Sequence, residues 1–392
     1  MKDTFKKLSK EYHEDIVGIR RHIHANPELS FVEFKTSEFV CSLLDEMNIP
    51  YEKGMVKTGI IGTIEGKNPG KRTVALRAEL DALPIFEKND ISYKSTNDGV
   101  MHACGHDVHM ASMLGAAKIL NSTKEDWEGT VKLVFQPGEE KLPGGAIQMI
   151  DAGLLEEIKA STMLALHVLP SMEVGRVGFR PGPYMASADE IYLKIKGQGG
   201  HAALPALNID PIPMAAEILV ALNKIKPDFD TPMVLAFGKI VAAGATNVIP
   251  NEVEIEGTFR AMNEEWRDEV HRRVEATAKE IAEKHGGTCE VLIKKGYPCL
   301  VNDEQVAKDA KENAQDYLGT DKVDDLDLRM TADDFASFSQ RMPACFLRLG
   351  VGNKEKGISS GVHTDTFNID ESALEVSAGL MAWLTYNELN KR

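Results

Sequence analysis

A change of rhythm at Pro181-Gly182-Pro183 limits the folds open to this chain more than any other feature. Before it, short apolar strands alternate with helices. Apolar positions recur at helical spacing from Phe5 to Ala25, and Asn26-Pro27 stops that helix. A second helix is predicted over Phe34 to Met47. Thr73–Ala78 (TVALRA), Val131–Gln136 (VKLVFQ) and Thr162–Leu169 (TMLALHVL) read as short buried strands, with an Ala- and Met-rich helix over Val108–Leu120. Such alternation implies an α/β domain: a mainly parallel sheet covered by helices on both faces.

Past the hinge the order becomes β-α-β-β-α-β. Glu190–Lys196 alternates polar and apolar residues, and a helix follows over about Pro213–Lys224. The strands Met233–Val241 and Glu252–Arg260 flank the turn-rich AAGATNVIPN. A long amphipathic helix from about Glu264 to His285 and the strand Thr288–Lys294 close the set. This is the order of a ferredoxin-like unit. Gly296-Tyr297-Pro298 returns the chain to the first domain, which an αβ segment and a last helix over about Ser372–Leu389 complete. The expected architecture is a split α/β domain, residues 1–185 and 297–392, with an inserted α+β domain, 186–296. The length of 392 residues agrees, since single cores stop growing at roughly 250–300 residues.

A net charge of −15 without any basic block argues against nucleic acid or an anionic membrane as partner. The opening MKDTFKKLSKEYHEDI is charged and amphipathic, unlike a signal peptide or a spanning helix. Five scattered cysteines fit a reducing compartment better than a disulfide framework, so a cytoplasmic location is expected.

The chemistry concentrates in Met101–His109 (MHACGHDVH), where three histidines, a cysteine and an aspartate fall together. Thiolate and imidazole side by side favour zinc or a similar divalent metal. Gly105 between Cys104 and His106 allows a tight turn that points both side chains one way. Glu139-Glu140, in FQPGEE, directly follows a strand. One carboxylate can bind metal while the other takes a proton from water. The carboxyl end of a strand in an open α/β sheet is where ligands bind. His167 ends an apolar strand, where a lone histidine is more often core than ligand. His363, in SSGVHTDTF, reads alone as an exposed loop residue. Asp81 follows the TVALRA strand at once and could orient a metal-bound side chain. Cys104, His106, Glu140, His167 and His363 make five candidate donors. One catalytic zinc normally takes about three, so five suggest a two-metal site.

These segments resemble a known family. RRHIHANPELSFVEF, LRAELDALPI, MHACGHDVHMA, FQPGEE, LHVLP, GQGGHAALP, TNVIP, GTFR and GVHTD occur in the order seen in aminoacylase/carboxypeptidase-type dinuclear metallopeptidases. Within these, they match the branch of N-acyl-amino-acid amidohydrolases, hippurate hydrolases and auxin-conjugate hydrolases. The resemblance implies a zinc-peptidase-like catalytic domain and an inserted domain acting as lid and homodimer interface. It also implies two divalent ions held by Cys104, His106, Glu140, His167 and His363. Zinc or manganese is expected, with cobalt or nickel as alternatives. Glu139 would be the general base and Asp81 a supporting carboxylate. His201 would reach a neighbouring subunit's site and stabilise the oxyanion, and Asn247 and Arg260 would hold the substrate carboxylate. Taken without the resemblance, His201 is a loop histidine and Arg260 a surface ion pair. Two departures stand out: Glu79 where the family has aspartate, and Lys141-Leu142-Pro143 in place of a plainer glycine run.

The implied reaction is hydrolysis of the amide of an N-acyl amino acid or short peptide. A dipeptidase or carboxypeptidase with the same metals is the alternative, although the acidic residue expected for a substrate ammonium is not evident. A metal-stabilised binding protein without turnover is a third reading. A zinc nucleobase deaminase is disfavoured, because its Pro-Cys-x-x-Cys is absent.

Overall fold

The computed structural model describes residues 1–226 and 231–391. It divides into two compact units. Met1–Gly182, Val301–Asp327 and Ser337–Arg392 form the first, and Pro183–Leu300 with Leu328–Ala336 form the second.

The first unit is built on an eight-stranded sheet, in the order Tyr51–Met55, Gly59–Glu65, Thr130–Gln136, Thr73–Glu79, Thr162–Glu173, Ala344–Gly352, Val177–Phe179, Val323–Asp325. Its four middle strands are parallel. The Tyr51–Glu65 hairpin adds antiparallel strands at one edge, and Val177–Phe179 runs antiparallel to Ala344–Gly352 at the other. The middle strands are nearly continuous runs of Val, Leu, Ala and Phe because both faces are covered. Register aligns their carboxyl ends: Glu79 lies opposite Gln136, and Arg77 opposite Ala165, two residues before His167.

The helix His106–Ser122 begins two residues earlier than its sequence pattern predicts. It is buried nearly all round, from Met110 through Leu120, and packs on the last helix, Ala373–Leu389, with Ser112 Oγ 2.6 Å from Ser377 Oγ. A buried ion cluster anchors its first turn. Asp107 Oδ2 lies 2.7 Å from Arg20 Nε and 2.8 Å from His24 Nδ1, and His24 Nε2 reaches Glu87 Oε1 at 3.1 Å. Removing one partner from such a buried set costs about 3–5 kcal/mol. The N-terminal helix predicted as one piece is two, Lys2–Glu11 and His13–Ala25, meeting at Tyr12.

The second unit is a four-stranded antiparallel sheet, ordered Met233–Val241, Glu252–Ala261, Asp189–Lys196, Thr288–Lys295. Ile191, Leu193, Ile195, Val253, Ile255 and Phe259 alternate inward and meet Ile218, Val270 and Val274 of the helices Pro211–Leu222 and Glu264–Lys284. Asp210 and Asn263 cap those helices, accepting from Ile212 N–H at 2.9 Å and Trp266 N–H at 2.7 Å. Among the described residues, no helix is long and apolar enough to cross a membrane.

Candidate metal centre

Gly105 sets the geometry of the central motif. Its φ of 89° is left-handed, and a Cβ there would sit 2.6 Å from Val168 Cγ2. The turn therefore needs glycine both for its conformation and for its approach to the His167 strand. It turns the chain directly into the helix, so Cys104 and His106 leave from adjacent positions at the carboxyl edge of the sheet.

Hydrogen bonds fix which ring nitrogen each histidine offers. His167 Nδ1 lies 2.8 Å from Val168 O, and His106 Nδ1 lies 2.8 Å from Asp81 O. A carbonyl only accepts, so both rings carry their proton on Nδ1 and keep a lone pair on Nε2. His167 Nε2 points at Cys104 Sγ, 3.4 Å away. His106 Nε2 is buried without a hydrogen-bond partner, the condition of a nitrogen whose partner is a cation. His363 arrives on a loop in the left-handed region (φ 62°), held by its N–H to Ala103 O at 2.7 Å. A non-glycine residue in that region costs about 1 kcal/mol or more, and such strain gathers at ligand sites. His363 Nε2 lies 3.3 Å from Cys104 Sγ and 3.2 Å from Glu140 Oε1.

Among the described residues five three-donor groups occur, and two of them contain Cys104: Cys104/His106/His167 and Cys104/Glu140/His363, each with its atoms within 4.8 Å of one another. They share the Cys104 sulfur. Glu139 stands beside them, its Oε2 3.9 Å from His106 Nε2. Burial pushes the Cys104 thiol well up, and the charges of Glu140 and Glu139 add to this. Only strong positive charge nearby holds it as thiolate. Burial opposes protonation of His106, but Glu79 and Asp81 outweigh it and raise the ring to about 10. A proton and a cation thus compete for that nitrogen. The donor set and the acidic surroundings fit a pair of divalent ions.

Asp81 is fully buried and does two jobs. Its Oδ1 lies 3.3 Å from His106 Nδ1, while Oδ2 accepts from Ser30 Oγ–H at 2.6 Å and from Glu140 N–H at 2.9 Å. Burial would raise its pKa, but the bonds from His106 and Ser30 and from the Glu140 amide outweigh that and lower it. Glu79 pairs with Arg77 and accepts from His109 Nδ1–H at 2.8 Å, and with His109 and His106 it forms a further three-donor group. His109 Nε2 in turn accepts from Val168 N–H at 3.1 Å, so both ring nitrogens are used. His109 is thereby left a structural link, and His102 belongs to none of the donor groups. Ser30 and Arg77 carry no chemical signal in the sequence.

In the second unit the structure brings His201 and Asn247 together. His201 pairs with Val248 across a short antiparallel ladder, and Asn247 O accepts from Ala202 N–H at 3.0 Å. His201 Nδ1 accepts from Ala203 N–H at 3.1 Å, which leaves the proton on Nε2, facing outward as a donor. Arg260 stands elsewhere. Glu252 pairs with Lys196 next to the His201 ladder, and at roughly 3.4 Å per residue about 27 Å of strand separates Glu252 from Arg260. Arg260 is half-buried, its Nη1 donating to Thr258 Oγ1 at 2.7 Å. Burial lowers its pKa, against the charges of Asp189 and Glu190.

Residues 75–386 match the model of Peptidase family M20/M25/M40. The chain is 40% identical over 304 residues to an N-acyl-L-amino acid amidohydrolase of Geobacillus stearothermophilus, covering 77% of this chain and 81% of that protein. It is 36% identical over 398 residues to thermostable carboxypeptidase 2 of Saccharolobus solfataricus, covering 99% and 100%. Among solved structures, a dinuclear metal-binding M20 peptidase of Bacillus subtilis aligns with a TM-score of 0.86 and 33% identity, covering 98% and 99%. This chain belongs to Peptidase family M20/M25/M40 and is a hydrolase.

Proposed function

We propose that this protein hydrolyses the amide bond of N-acyl amino acids, acetylated or hippurate-like, at a site for two divalent ions. Zinc or manganese suits the mixed sulfur, nitrogen and oxygen donors, and cobalt or nickel could substitute. The observation that carries the reading is the pair of three-donor groups meeting at Cys104 Sγ, with Glu139 alongside. The amidohydrolase relative at 40% identity supports the substrate class. When bound, the metals supply Lewis acidity, acidifying a water and polarising the acyl carbonyl.

The chain's own residues do the rest. Glu139 takes a proton from the attacking water and returns it to the leaving amine. Asp81 holds His106 by the ring and Glu140 by the backbone. His201 Nε2–H donates to the oxygen on which charge develops, and Asn247 joins Arg260 at the substrate carboxylate. Arg260 binds the substrate carboxylate, fixing orientation.

A small acyl amino acid cannot bridge the strand length between the His201–Asn247 ladder and Arg260. The proposed site therefore draws His201 and Asn247 from one copy of the chain and Arg260 from another. The second unit has a surface suited to such a homodimer. Ile212, Ala216 and Val220 form an exposed apolar stripe on the helix Pro211–Leu222, and Val234, Ile240 and Val241 are exposed on the edge strand Met233–Val241. An unpaired strand edge beside an apolar stripe favours pairing with a second copy. All five cysteines are free and buried, which agrees with a cytoplasmic setting.

The carboxypeptidase relative at 36% identity favours short peptides as the second substrate class. A panel of N-acetyl and N-benzoyl amino acids set against dipeptides, with protein reconstituted in zinc or manganese, separates the two. We expect the acyl amino acids to show the larger kcat/KM. Faster turnover of dipeptides would move the assignment to the peptidase, and metal without turnover would leave a binding protein.

A further inference from the structure

Glu139 lies on an irregular turn, yet the proposed proton transfer needs its carboxylate fixed. The residues on either side of it are held by two buried carboxylates. On one side, Glu140 N–H donates to Asp81 Oδ2 at 2.9 Å. On the other, Gly138 N–H donates to Glu33 Oε1 at 2.8 Å. Both acceptors are fully buried.

Glu33 gathers more than this turn. Its Oε1 also accepts from Phe31 N–H at 2.7 Å, and its Oε2 accepts from Thr58 Oγ–H at 2.8 Å. Thr58 follows Val56 and Lys57, two left-handed residues that close the Tyr51–Glu65 hairpin. Phe31 and Gly138 are left-handed too, with φ 65° and 60°. They interlock: a Cβ on Gly138 would lie 2.4 Å from the Phe31 ring. Three loops with left-handed backbone, two of them on non-glycine residues, thus converge on one carboxylate. The Gly138 N–H is buried with this bond, and left without an acceptor it would pull the turn open.

We propose that Glu33 is a positioning residue for Glu139: with Asp81 it clamps the turn from both ends, so the base faces the reacting water in one orientation. This rests on the reading of Glu139 given above. The residue acts through acceptance of the Gly138 N–H, so an acceptor without charge should serve almost as well.

The test uses the full-length, metal-loaded protein and whichever amide the unmodified enzyme cleaves best. Glu33→Ala is expected to lower kcat about 100-fold, the scale of a displacement near 1 Å in a reacting group. KM should stay within about threefold, since no ground-state contact to substrate is lost. Metal content, measured by elemental analysis, should stay at the unmodified value, because Glu140 keeps its bond to Asp81. Glu33→Gln retains the acceptor and should hold kcat within about tenfold. Should Glu33→Ala not fold, Glu33→Asp, one methylene short, should lower kcat at least about tenfold by the same displacement. Hydrogen exchange of the peptide containing Gly138 gives a readout independent of substrate. Exchange should be at least about tenfold faster in Glu33→Ala and unchanged in Glu33→Gln. Normal kcat in the Ala or Asp variant, a Gln variant as impaired as Ala, metal lost in step with activity, or unchanged exchange would each overturn the proposal. If the unmodified enzyme cleaves no amide while exchange behaves as stated, the function reading fails and the clamp stands.

Discussion

In the first unit the reactive side chains are tied down from behind. His106 and His167 give their Nδ1 protons to carbonyls, Glu140 gives its N–H to Asp81, and His363 gives its N–H to Ala103. In the second unit His201 and Asn247 stand exposed on a two-residue ladder, while Arg260 lies far along the neighbouring strand. One unit holds a constellation preorganised by buried hydrogen bonds; in the other, His201 and Asn247 are exposed and Arg260 is half-buried. The contrast separates chemistry from capture. Disturbing the first group should reduce kcat at unchanged fold, while disturbing the second should act on transition-state stabilisation or substrate affinity.

The largest effect should come from Glu139→Gln. It keeps shape and metal content but removes the base, and kcat should fall by about 10³–10⁴; activity within tenfold of normal would remove Glu139 from that role. Next is His201→Ala, expected to lower kcat by about 10²–10³ with metal content unchanged. Mixing this variant with Glu139→Gln sharpens the comparison. If His201 serves a neighbouring copy, mixed dimers carry one intact site, and roughly a quarter of normal activity should return. No recovery would confine each site to one copy. The smallest effect is that of Arg260→Ala, expected to raise KM about 10- to 100-fold with little change in kcat, since it removes a charged hydrogen bond to a group away from the reacting bond. An unchanged KM would return Arg260 to its plain role of bonding Thr258.

What was legible in the sequence follows the same division. Cys104 and His106 could be read because cysteine and histidine are scarce and crowd one short segment, and Glu140 because it follows a strand; His167 and His363 carry little signal alone and came with the resemblance. Asp81 was readable from its place just past a strand. The supports were not. Ser30, Glu33 and Thr58 are ordinary loop residues, and only long-range folding carries them to Asp81 and Gly138. Their hairpin was also hidden: Gly54, Gly59 and Gly62 weaken its alternation, and its turn places Val56 and Lys57, poor turn residues, in the left-handed region. In the second unit the ferredoxin-like order was plain from alternation and caps. The separation of Arg260 from Asn247 was not, because resemblance supplies roles without distances. Glu79 contacts both Arg77 and His109.

The proposed function rests on Cys104 Sγ standing in both three-donor groups. The most direct measurement is anomalous diffraction from crystals of the zinc- or manganese-loaded protein. Two peaks are expected about 3.5–4 Å apart, one within bonding distance of His106 and His167, the other of Glu140 and His363, with Cys104 Sγ common to both. A single peak, or a second ion that leaves His363 and Glu140 uncoordinated, would contradict the proposed function.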